Sequence, residues 1–354
     1  MRFISAQALR DWLNTLARQV TLIAPVEAEI GAAPGLANPP ASGMNTLYRP
    51  VGSAGEIAWG FQRTVMSARE FLFPKTEVLF TIKTDATGKK TLHETKMEGQ
   101  QVIFGIRPCD ARGMSVLDAI MLEQEPTDVY YAQRRHNTTL VGLSCPEMWE
   151  NCFCTSVGGA PNVSDDVDIL LTQVESGYAM QIVTEKGEKL AQGMPEVQEA
   201  QEVEGLVLPE LKLNEPFETP TKQQWLDSFN DVYWERVGER CLSCRICVYV
   251  CPTCRCFDVR DETVVNPAGG RVTRSVRSWD SCQGVNYRTV AGGANLRANP
   301  GQRSRNRFYC KFCYVPTDYN VPVGCVGCGR CIAACPVNID ISEVLRDLAQ
   351  REEA

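Results

Sequence analysis

The feature that most constrains this chain is a cysteine motif that occurs twice. The spacing C-x2-C-x2-C-x3-C-P begins at Cys241 and begins again at Cys325. In two-cluster ferredoxins, the first three cysteines of such a motif bind one [4Fe–4S] cluster and the fourth binds the neighbouring one. The sequence therefore predicts two [4Fe–4S] clusters. Cluster 1 has the ligands Cys241, Cys244, Cys247 and Cys335, and cluster 2 has the ligands Cys325, Cys328, Cys331 and Cys251.

The total number of cysteines points in the same direction. The chain has 17 cysteines, an odd number that cannot be paired completely into disulfides. Clustered thiols in a reducing compartment more often bind metals. Structural zinc is the alternative, but zinc sites usually have two C-x2-C pairs rather than four cysteines closed by a proline. The repeated motif therefore favours iron–sulfur clusters.

The spacer between the two motifs indicates the fold around them. Residues 252–324 form a longer spacer than compact two-cluster ferredoxins have. Apolar residues recur at helical spacing from Trp225 to Val237, and Asp340 with Glu343 resembles a capping box before a last helix. The segment 196–222 is rich in Glu and Pro, which is typical of a linker. We predict an α+β fold, with an N-terminal mixed α/β domain (1–222) and a helical two-cluster ferredoxin-like domain (223–354).

Four more cysteines lie in the first half of the chain. The segment QVIFGIRPCDARGMSVLDAIML predicts a buried strand, a turn and a helix, and TTLVGLSCPE predicts a second buried strand. A strand–helix–strand crossover makes the two strands parallel, so Cys109 and Cys145 fall at the carboxyl edge of the sheet, where open α/β sheets bind ligands. Cys152 and Cys154 follow in one loop. These four cysteines, here called the N-terminal site, predict a third [4Fe–4S] cluster, with Asp110 as an alternative oxygen ligand.

The alternative for the N-terminal site is purely structural. Free cysteine is often a small buried hydrophobe, and Cys109 or Cys145 taken alone fits that description. The set of four favours a cluster, because the Cys-x-Cys pair lies in a loop with Gly158, Gly159 and Pro161.

Five cysteines remain beyond these three sets. They could form a further metal site, or they could pack against the clusters and donate weak S–H hydrogen bonds; they are Cys254, Cys256, Cys282, Cys310 and Cys313. Residues 269–310 around them carry eight arginines and one acid, Asp280. This excess of charge indicates compensation of anionic clusters rather than a nucleic-acid surface, since no aromatic-interleaved basic motif accompanies it.

Several segments together resemble one family of proteins. They are REFLFPKTEVLF, FGIRPCDARGMSVLD, CFCTSVGGAP, CPTCRCFDV, RSWDSCQG, AGGANLR and CVGCGRCIAACPVNIDI. The chain is similar over nearly its whole length to the beta subunits of cytosolic nickel–iron hydrogenases of the sulfhydrogenase type. The same family includes the corresponding iron–sulfur subunit of anaerobic sulfite reductase and related subunits of flavin-based electron-bifurcating complexes.

The resemblance implies a two-domain electron-transfer subunit with several [4Fe–4S] clusters, beside a flavin subunit that binds NAD(P)H. An N-terminal cluster is part of that expectation. One segment departs from the family, which usually has His-Lys-Phe-x-Tyr where this chain has Cys310-Lys311-Phe312-Cys313-Tyr314. The departure leaves open whether a metal site is added or altered here.

Motifs for other chemistry are missing from the sequence. There is no G-x-G-x-x-G after a strand and no P-loop, so we expect no flavin or nucleotide on this chain. His93 and His136, its two histidines, lie outside the cysteine motifs, and no adjacent Cys-Cys pair occurs. The net charge of −7 and the lack of a long apolar run predict a cytoplasmic protein that binds neither nucleic acid nor membrane.

Three functional classes follow from these observations. The first is an electron-transfer subunit in a hetero-oligomeric complex. It would connect a catalytic or bifurcating subunit of hydrogenase, sulfite reductase or transhydrogenase type with a flavin/NAD(P)H-binding subunit. The second is a reductase that acts on a small molecule at an open cluster site. The third is a cluster-bearing regulatory or assembly protein. The sequence favours the first, in which the chain has no catalytic residues of its own.

Overall fold

A computed structural model describes residues 1–28, 46–199, 206–265 and 269–351 of the chain. Its strands are β1 Arg2–Ser5, β2 Thr21–Glu27, β3 Thr46–Pro50, β4 Thr76–Thr84, β5 Lys90–Glu94, β6 Gln101–Ile106, β7 Thr138–Leu143, β8 Ile169–Val174, β9 Gly177–Ile182, β10 Gln198–Glu199, β11 Phe257–Val265 and β12 Arg271–Trp279. Its α-helices are α1 Ala6–Leu16, α2 Pro108–Met121, α3 Val129–His136, α4 Glu185–Ala191, α5 Lys222–Asp227, α6 Tyr233–Arg240, α7 Ile246–Tyr249, α8 Pro300–Tyr309, α9 Val315–Tyr319, α10 Arg330–Ala333 and α11 Ile341–Ala349.

An eight-stranded sheet forms the centre of the N-terminal half. Its strand order is β10-β1-β9-β8-β7-β6-β2-β3. The four strands β2, β6, β7 and β8 are parallel, and the other pairs are antiparallel. All six residues of β6 are buried, which fits a parallel strand covered on both faces. The predicted parallel arrangement of the strands before Cys109 and Cys145 is therefore confirmed.

Two apolar layers cover this sheet. The first layer includes Leu9, Trp12 and Leu13, which lie on the apolar face of α1 that its sequence predicts. The second layer includes Leu117 of α2 and Tyr131 of α3. The two layers contain separate sets of buried side chains, so the sheet is sandwiched between helices as expected for an α/β architecture.

The C-terminal half is mainly helical. An aromatic core that includes Trp225, Trp234, Phe308 and Tyr309 joins α5, α6 and α8. Helices α6 and α8 approach so closely that a Cβ atom on Gly238 would lie 2.3 Å from the backbone nitrogen of Gly301. The mixed α/β fold with a helical C-terminal region is as predicted from the sequence.

A second, four-stranded sheet joins the two halves. Its order is β11-β12-β4-β5, so two strands precede residue 222 and two follow it. The hairpin β11–β12 lies in the spacer between the cysteine motifs, and the sequence interpretation did not include it. All nine residues of β11 are exposed, so this strand buries none of its residues in a core. The boundary at residue 222 therefore does not separate two independent sets of strands.

Within the residues described, no helix has both the length and the apolar character needed to cross a membrane.

Candidate iron–sulfur sites

The four cysteines of the N-terminal site line one cavity. Cys109 lies in the first turn of α2 after β6, Cys145 follows β7, and Cys152 and Cys154 come from the next loop. The cavity is partly open to solvent. The sheet thus brings two of these thiols to its carboxyl edge, and the loop supplies the other two.

Hydrogen bonds and burial define the environment of the cysteine thiols in this cavity. Arg107 donates hydrogen bonds to the carbonyl oxygens of Leu143 (3.2 Å) and Ser144 (2.6 Å), which positions the end of β7 just before Cys145. Burial raises the pKa of the Cys154 thiol to about 12, and it also raises the pKa of Cys145. Thiols that are this strongly shielded from water ionise readily only beside a strong positive charge, which bound iron would provide.

Asp110 is already engaged by another side chain. Its carboxylate accepts two hydrogen bonds from Arg330, from Nη1 to Oδ1 (2.5 Å) and from Nη2 to Oδ2 (2.7 Å), and both side chains are almost fully buried. Arg330 also donates to Thr64 Oγ1 (2.9 Å) and to the Thr64 carbonyl oxygen (2.8 Å). Asp110 is not among the residues that line the cavity. This geometry favours the four cysteines, rather than Asp110, as ligands.

The predicted ligands of cluster 2 also line a single cavity. Cys251 comes from the first motif and Cys325, Cys328 and Cys331 come from the second, so one cavity is lined by cysteines of both motifs. Cys328 lines the N-terminal cavity as well. The two sites are therefore immediate neighbours.

Two buried cations lie at the cluster 2 cavity. Lys311 donates to Thr253 Oγ1 (2.7 Å), and Arg307 has two buried nitrogens, Nε and Nη2, without a hydrogen-bond partner. Burial alone would lower the pKa of Arg307, but the nearby Cys247 and Cys331 thiols raise it. Unpartnered buried donors are costly, and an anionic cluster with sulfide acceptors would satisfy them. The residues present therefore fit an iron–sulfur cluster.

The ligands predicted for cluster 1 lie nearer the surface. Cys247 lies close enough to Cys241, Cys244 and Cys331 to interact with them electrostatically. Cys244 is exposed to solvent. Arg240, next to Cys241, donates to the carbonyl oxygen of Asn338 (2.7 Å), three residues after Cys335. This contact and the packing of α7 against α10 bring the start of the first motif to the end of the second.

The two motifs share an unusual backbone. Ser243 and Arg245 in the first have φ values of 54° and 69°, and Gly327 and Gly329 at the equivalent positions of the second have 64° and 68°. Left-handed residues of this kind turn successive N–H groups toward one point, where an anion can bind. In the first motif, the Ser243 N–H donates to Cys241 Sγ (3.4 Å).

The five remaining cysteines occupy three different environments. Cys254, Cys256 and Cys282 belong to one small cluster that also contains Cys251 and Val248. Hydrogen bonds from Cys282 and from Tyr287 lower the pKa of Cys256 to about 6 against the effect of burial. Cys310 accepts a hydrogen bond from Arg255 (3.7 Å), and Cys313 packs in the aromatic core.

The five therefore do not form one site. Cys310 and Cys313 belong to the same π-helical turn, Cys310–Tyr314, but contact different neighbours. A π turn often marks a functional position, and this one lies where the sequence departs from the related family. Among all described residues, no three His, Cys, Asp or Glu side chains are grouped so that they could hold a single metal ion. His93 and His136 are both exposed.

Comparisons with known proteins support the presence of iron–sulfur clusters on this chain. Residues 240–339 match the family model of the 4Fe-4S dicluster domain. The chain is 32% identical over 323 residues to sulfhydrogenase 2 subunit beta of Pyrococcus furiosus, an alignment that covers 86% of this chain and 90% of that protein. No solved structure matches the chain.

The resemblance inferred from the sequence motifs is thereby confirmed. The alignment covers most of both proteins, and the dicluster-domain match spans both ferredoxin-like motifs. The chain belongs to the family of sulfhydrogenase beta subunits, iron–sulfur proteins with a 4Fe-4S dicluster domain.

Proposed function

We propose that this chain is the electron-relay subunit of a hydrogenase-type complex and holds three [4Fe–4S] clusters in a row. The N-terminal site is at one end, cluster 2 is in the middle and cluster 1 is at the other end. The observation that carries the proposal is the position of Cys328, which lines both the N-terminal cavity and the cluster 2 cavity. A ligand shared between two cavities keeps the two sites next to each other.

The second step of the row is supported by Arg307. Its guanidinium group lines the cluster 2 cavity and lies close to both Cys247 of cluster 1 and Cys331 of cluster 2. Cys247 and Cys331 also lie close enough to interact electrostatically with each other. A buried cation between two anionic sites would lower their mutual repulsion and would help each of them to accept an electron.

The protein around the row supplies insulation and orientation. Bound [4Fe–4S] clusters would each take up and release one electron. Burial of Cys251, Cys325 and Cys328 keeps water from the middle site, while the exposed Cys244 brings cluster 1 to the surface. One end of the row is therefore accessible to a redox partner, and the N-terminal cavity, which is partly open, is accessible to another.

The partners follow from the family and from this geometry. We propose a flavin/NAD(P)H-binding subunit on one side and a catalytic or bifurcating subunit on the other, of hydrogenase, sulfite reductase or transhydrogenase type, in a hetero-oligomeric complex. The related protein is by name a subunit of a sulfhydrogenase. A flavin delivers two electrons from a hydride, and single-electron sites such as these would separate them.

The decisive experiment is the iron and sulfide content of the anaerobically purified chain, combined with EPR during reductive titration. Three clusters correspond to about 12 irons per chain. In the Cys145→Ser variant we expect about 8, since one ligand of the N-terminal site is lost. The Cys313→Ser variant is the matched control and should keep the wild-type content, because Cys313 packs in the aromatic core.

A wild-type chain with about 8 irons, unchanged by Cys145→Ser, would remove the N-terminal site from the row. A chain in which Cys313→Ser also lost iron would show that further cysteines bind metal.

A further inference from the structure

Three cysteines outside the proposed ligand sets are gathered at the base of the β11–β12 hairpin. Cys256 directly precedes β11, and Cys282 follows β12 after two residues. The hairpin brings them together, because Phe257 pairs with Trp279 and the Asp280 N–H donates to the Cys256 carbonyl oxygen (2.9 Å). Cys254 belongs to the same buried cluster.

Cys256 and Cys282 pack in the same small cluster, together with Tyr287. Cys282 is only 7% exposed, whereas Cys256 is half-buried. A pair with one accessible and one buried sulfur has the arrangement needed for thiol–disulfide exchange, in which one thiol attacks and the other resolves.

The pair also lies beside both ferredoxin-like clusters. Cys282 lies close enough to Cys247, a proposed ligand of cluster 1, to interact with it electrostatically. Cys254 packs in the same cluster as Cys251, a proposed ligand of cluster 2. A disulfide takes up two electrons and two protons to become a dithiol, and two adjacent one-electron sites could supply the electrons.

We propose that Cys256 and Cys282 form a redox-active dithiol–disulfide pair that takes electrons from clusters 1 and 2 and reduces a low-molecular-weight disulfide. This inference rests on the proposed relay, because the electrons come from the flavin partner through the clusters. Cys256 is the attacking sulfur, since it is the more exposed of the two. Cys282 is the resolving sulfur.

The chemistry balances in two stages. Cys256 thiolate attacks the substrate disulfide R–S–S–R, forms the mixed disulfide Cys256–S–S–R and releases one RS⁻. Cys282 then attacks Cys256 Sγ, forms the Cys256–Cys282 disulfide and releases the second RS⁻. Two electrons from the clusters and two protons from solvent restore the two thiols. The net reaction is R–S–S–R plus two electrons and two protons to two R–SH.

The first test is direct mapping of the pair in the wild-type holoprotein. The protein is oxidised with diamide, its free thiols are alkylated anaerobically, and its peptides are analysed by mass spectrometry. We expect a Cys256–Cys282 crosslink that disappears after electrochemically reduced methyl viologen is added. Absence of the crosslink in the oxidised protein would overturn the proposal, and this measurement needs no variant.

The second test measures turnover with bis(2-hydroxyethyl) disulfide as the probe. Oxidation of reduced methyl viologen is followed in the wild type and in the Cys256→Ser and Cys282→Ser variants. We expect both variants to lose the disulfide-dependent rate down to the protein-free blank while their iron content and EPR spectra stay unchanged. Cys313→Ser should keep the wild-type rate, because Cys313 lies in the aromatic core away from the pair.

The outcomes separate this proposal from the relay itself. A wild-type rate in Cys282→Ser would overturn the proposed redox role of the Cys256–Cys282 pair. Loss of iron in Cys256→Ser and Cys282→Ser would show that the two cysteines are metal ligands instead. If the wild type bound no clusters, the relay would fail, whereas crosslinking by diamide would still report whether the two sulfurs meet.

Discussion

The two cysteine motifs have the same spacing and the same backbone turns, but they have opposite surroundings. In the first, Leu242 is 65% exposed and Cys244 is exposed. In the second, the equivalent Val326 is 2% exposed and Cys328 is buried. A Cβ atom on Gly327 would lie 2.5 Å from the Cys154 nitrogen. The second motif is therefore built into the contact with the N-terminal half.

This difference shows how one local motif can serve two purposes. The left-handed turns are required in both motifs, and the first accommodates them with Ser243 and Arg245, whose side chains are only partly buried. The second must use glycine, since loop 151–154 occupies the space where a Cβ atom would be. The same spacing thus produces one site for the surface and one for the interior. Substitutions at equivalent positions should separate these two roles.

The largest difference is expected at Arg330, which is equivalent to Ile246. Arg330→Met leaves the buried Asp110 carboxylate without its partner, and breaking a buried ion pair in this way costs about 3–5 kcal/mol. Ile246→Met, at a half-buried apolar position, should change the free energy of unfolding by less than about 1.5 kcal/mol. Anaerobic urea unfolding of both variants measures the difference. Equal effects would mean that the Asp110–Arg330 pair does not hold the halves together.

Gly329 and Arg245 should differ by a smaller amount. A Cβ atom on Gly329 would lie 2.2 Å from the Asn151 carbonyl oxygen, at a φ of 68°. We expect Gly329→Ala to lower the free energy of unfolding by about 2–3 kcal/mol and to reduce the iron content of the N-terminal site.

The control for this prediction is Arg245→Ala. It removes a partly exposed contact with Asp280 (3.4 Å) and should cost no more than about 1 kcal/mol. Unfolding and iron analysis of the two variants, side by side, check both expectations. A Gly329→Ala protein with full iron content and wild-type stability would contradict the close approach of loop 151–154.

The smallest difference is expected between Val326 and Leu242. Val326→Ala removes two buried carbons and leaves a small cavity, at a cost of about 2 kcal/mol. Leu242→Ala changes an exposed side chain and should stay within about 0.5 kcal/mol of the wild type. Thermal unfolding under anaerobic conditions measures both. If Leu242→Ala proved the more costly, the surface position of the first motif would be wrong.

Much of the candidate site could be predicted from the sequence because its cysteines lie in short motifs, whose spacing can be recognised without knowledge of the fold. The spacing within each motif depends on a few consecutive residues, and the four cysteines that it assigns to cluster 2 line one cavity of the structure. The parallel strands before Cys109 and Cys145 followed from a handedness rule that holds for almost all such crossovers. The iron–sulfur family could be identified for the same reason, since its motifs are short and specific.

Other features depend on contacts between distant segments. The partnership of Asp110 with Arg330 joins residues 220 positions apart, so no local pattern could show that the carboxylate is already engaged. The hairpin β11–β12 was missed although its strands alternate in polarity, because its place beside β4 depends on a sheet shared by both halves. The five spare cysteines look alike in the sequence, and only their neighbours distinguish Cys256 and Cys282 from Cys310 and Cys313.

The sequence by itself determined which cysteines belong to which motif and that the chain is an iron–sulfur protein, because ligand spacing is set by covalent chain geometry. The tertiary structure alone decided that Cys328 lines two cavities, that the second motif is more buried than the first, and that the spare residues Cys256 and Cys282 pack in one cluster. These properties depend on how the N-terminal loop 151–154 packs against the second motif, and packing between segments so far apart leaves no periodic or spaced signal in either of them.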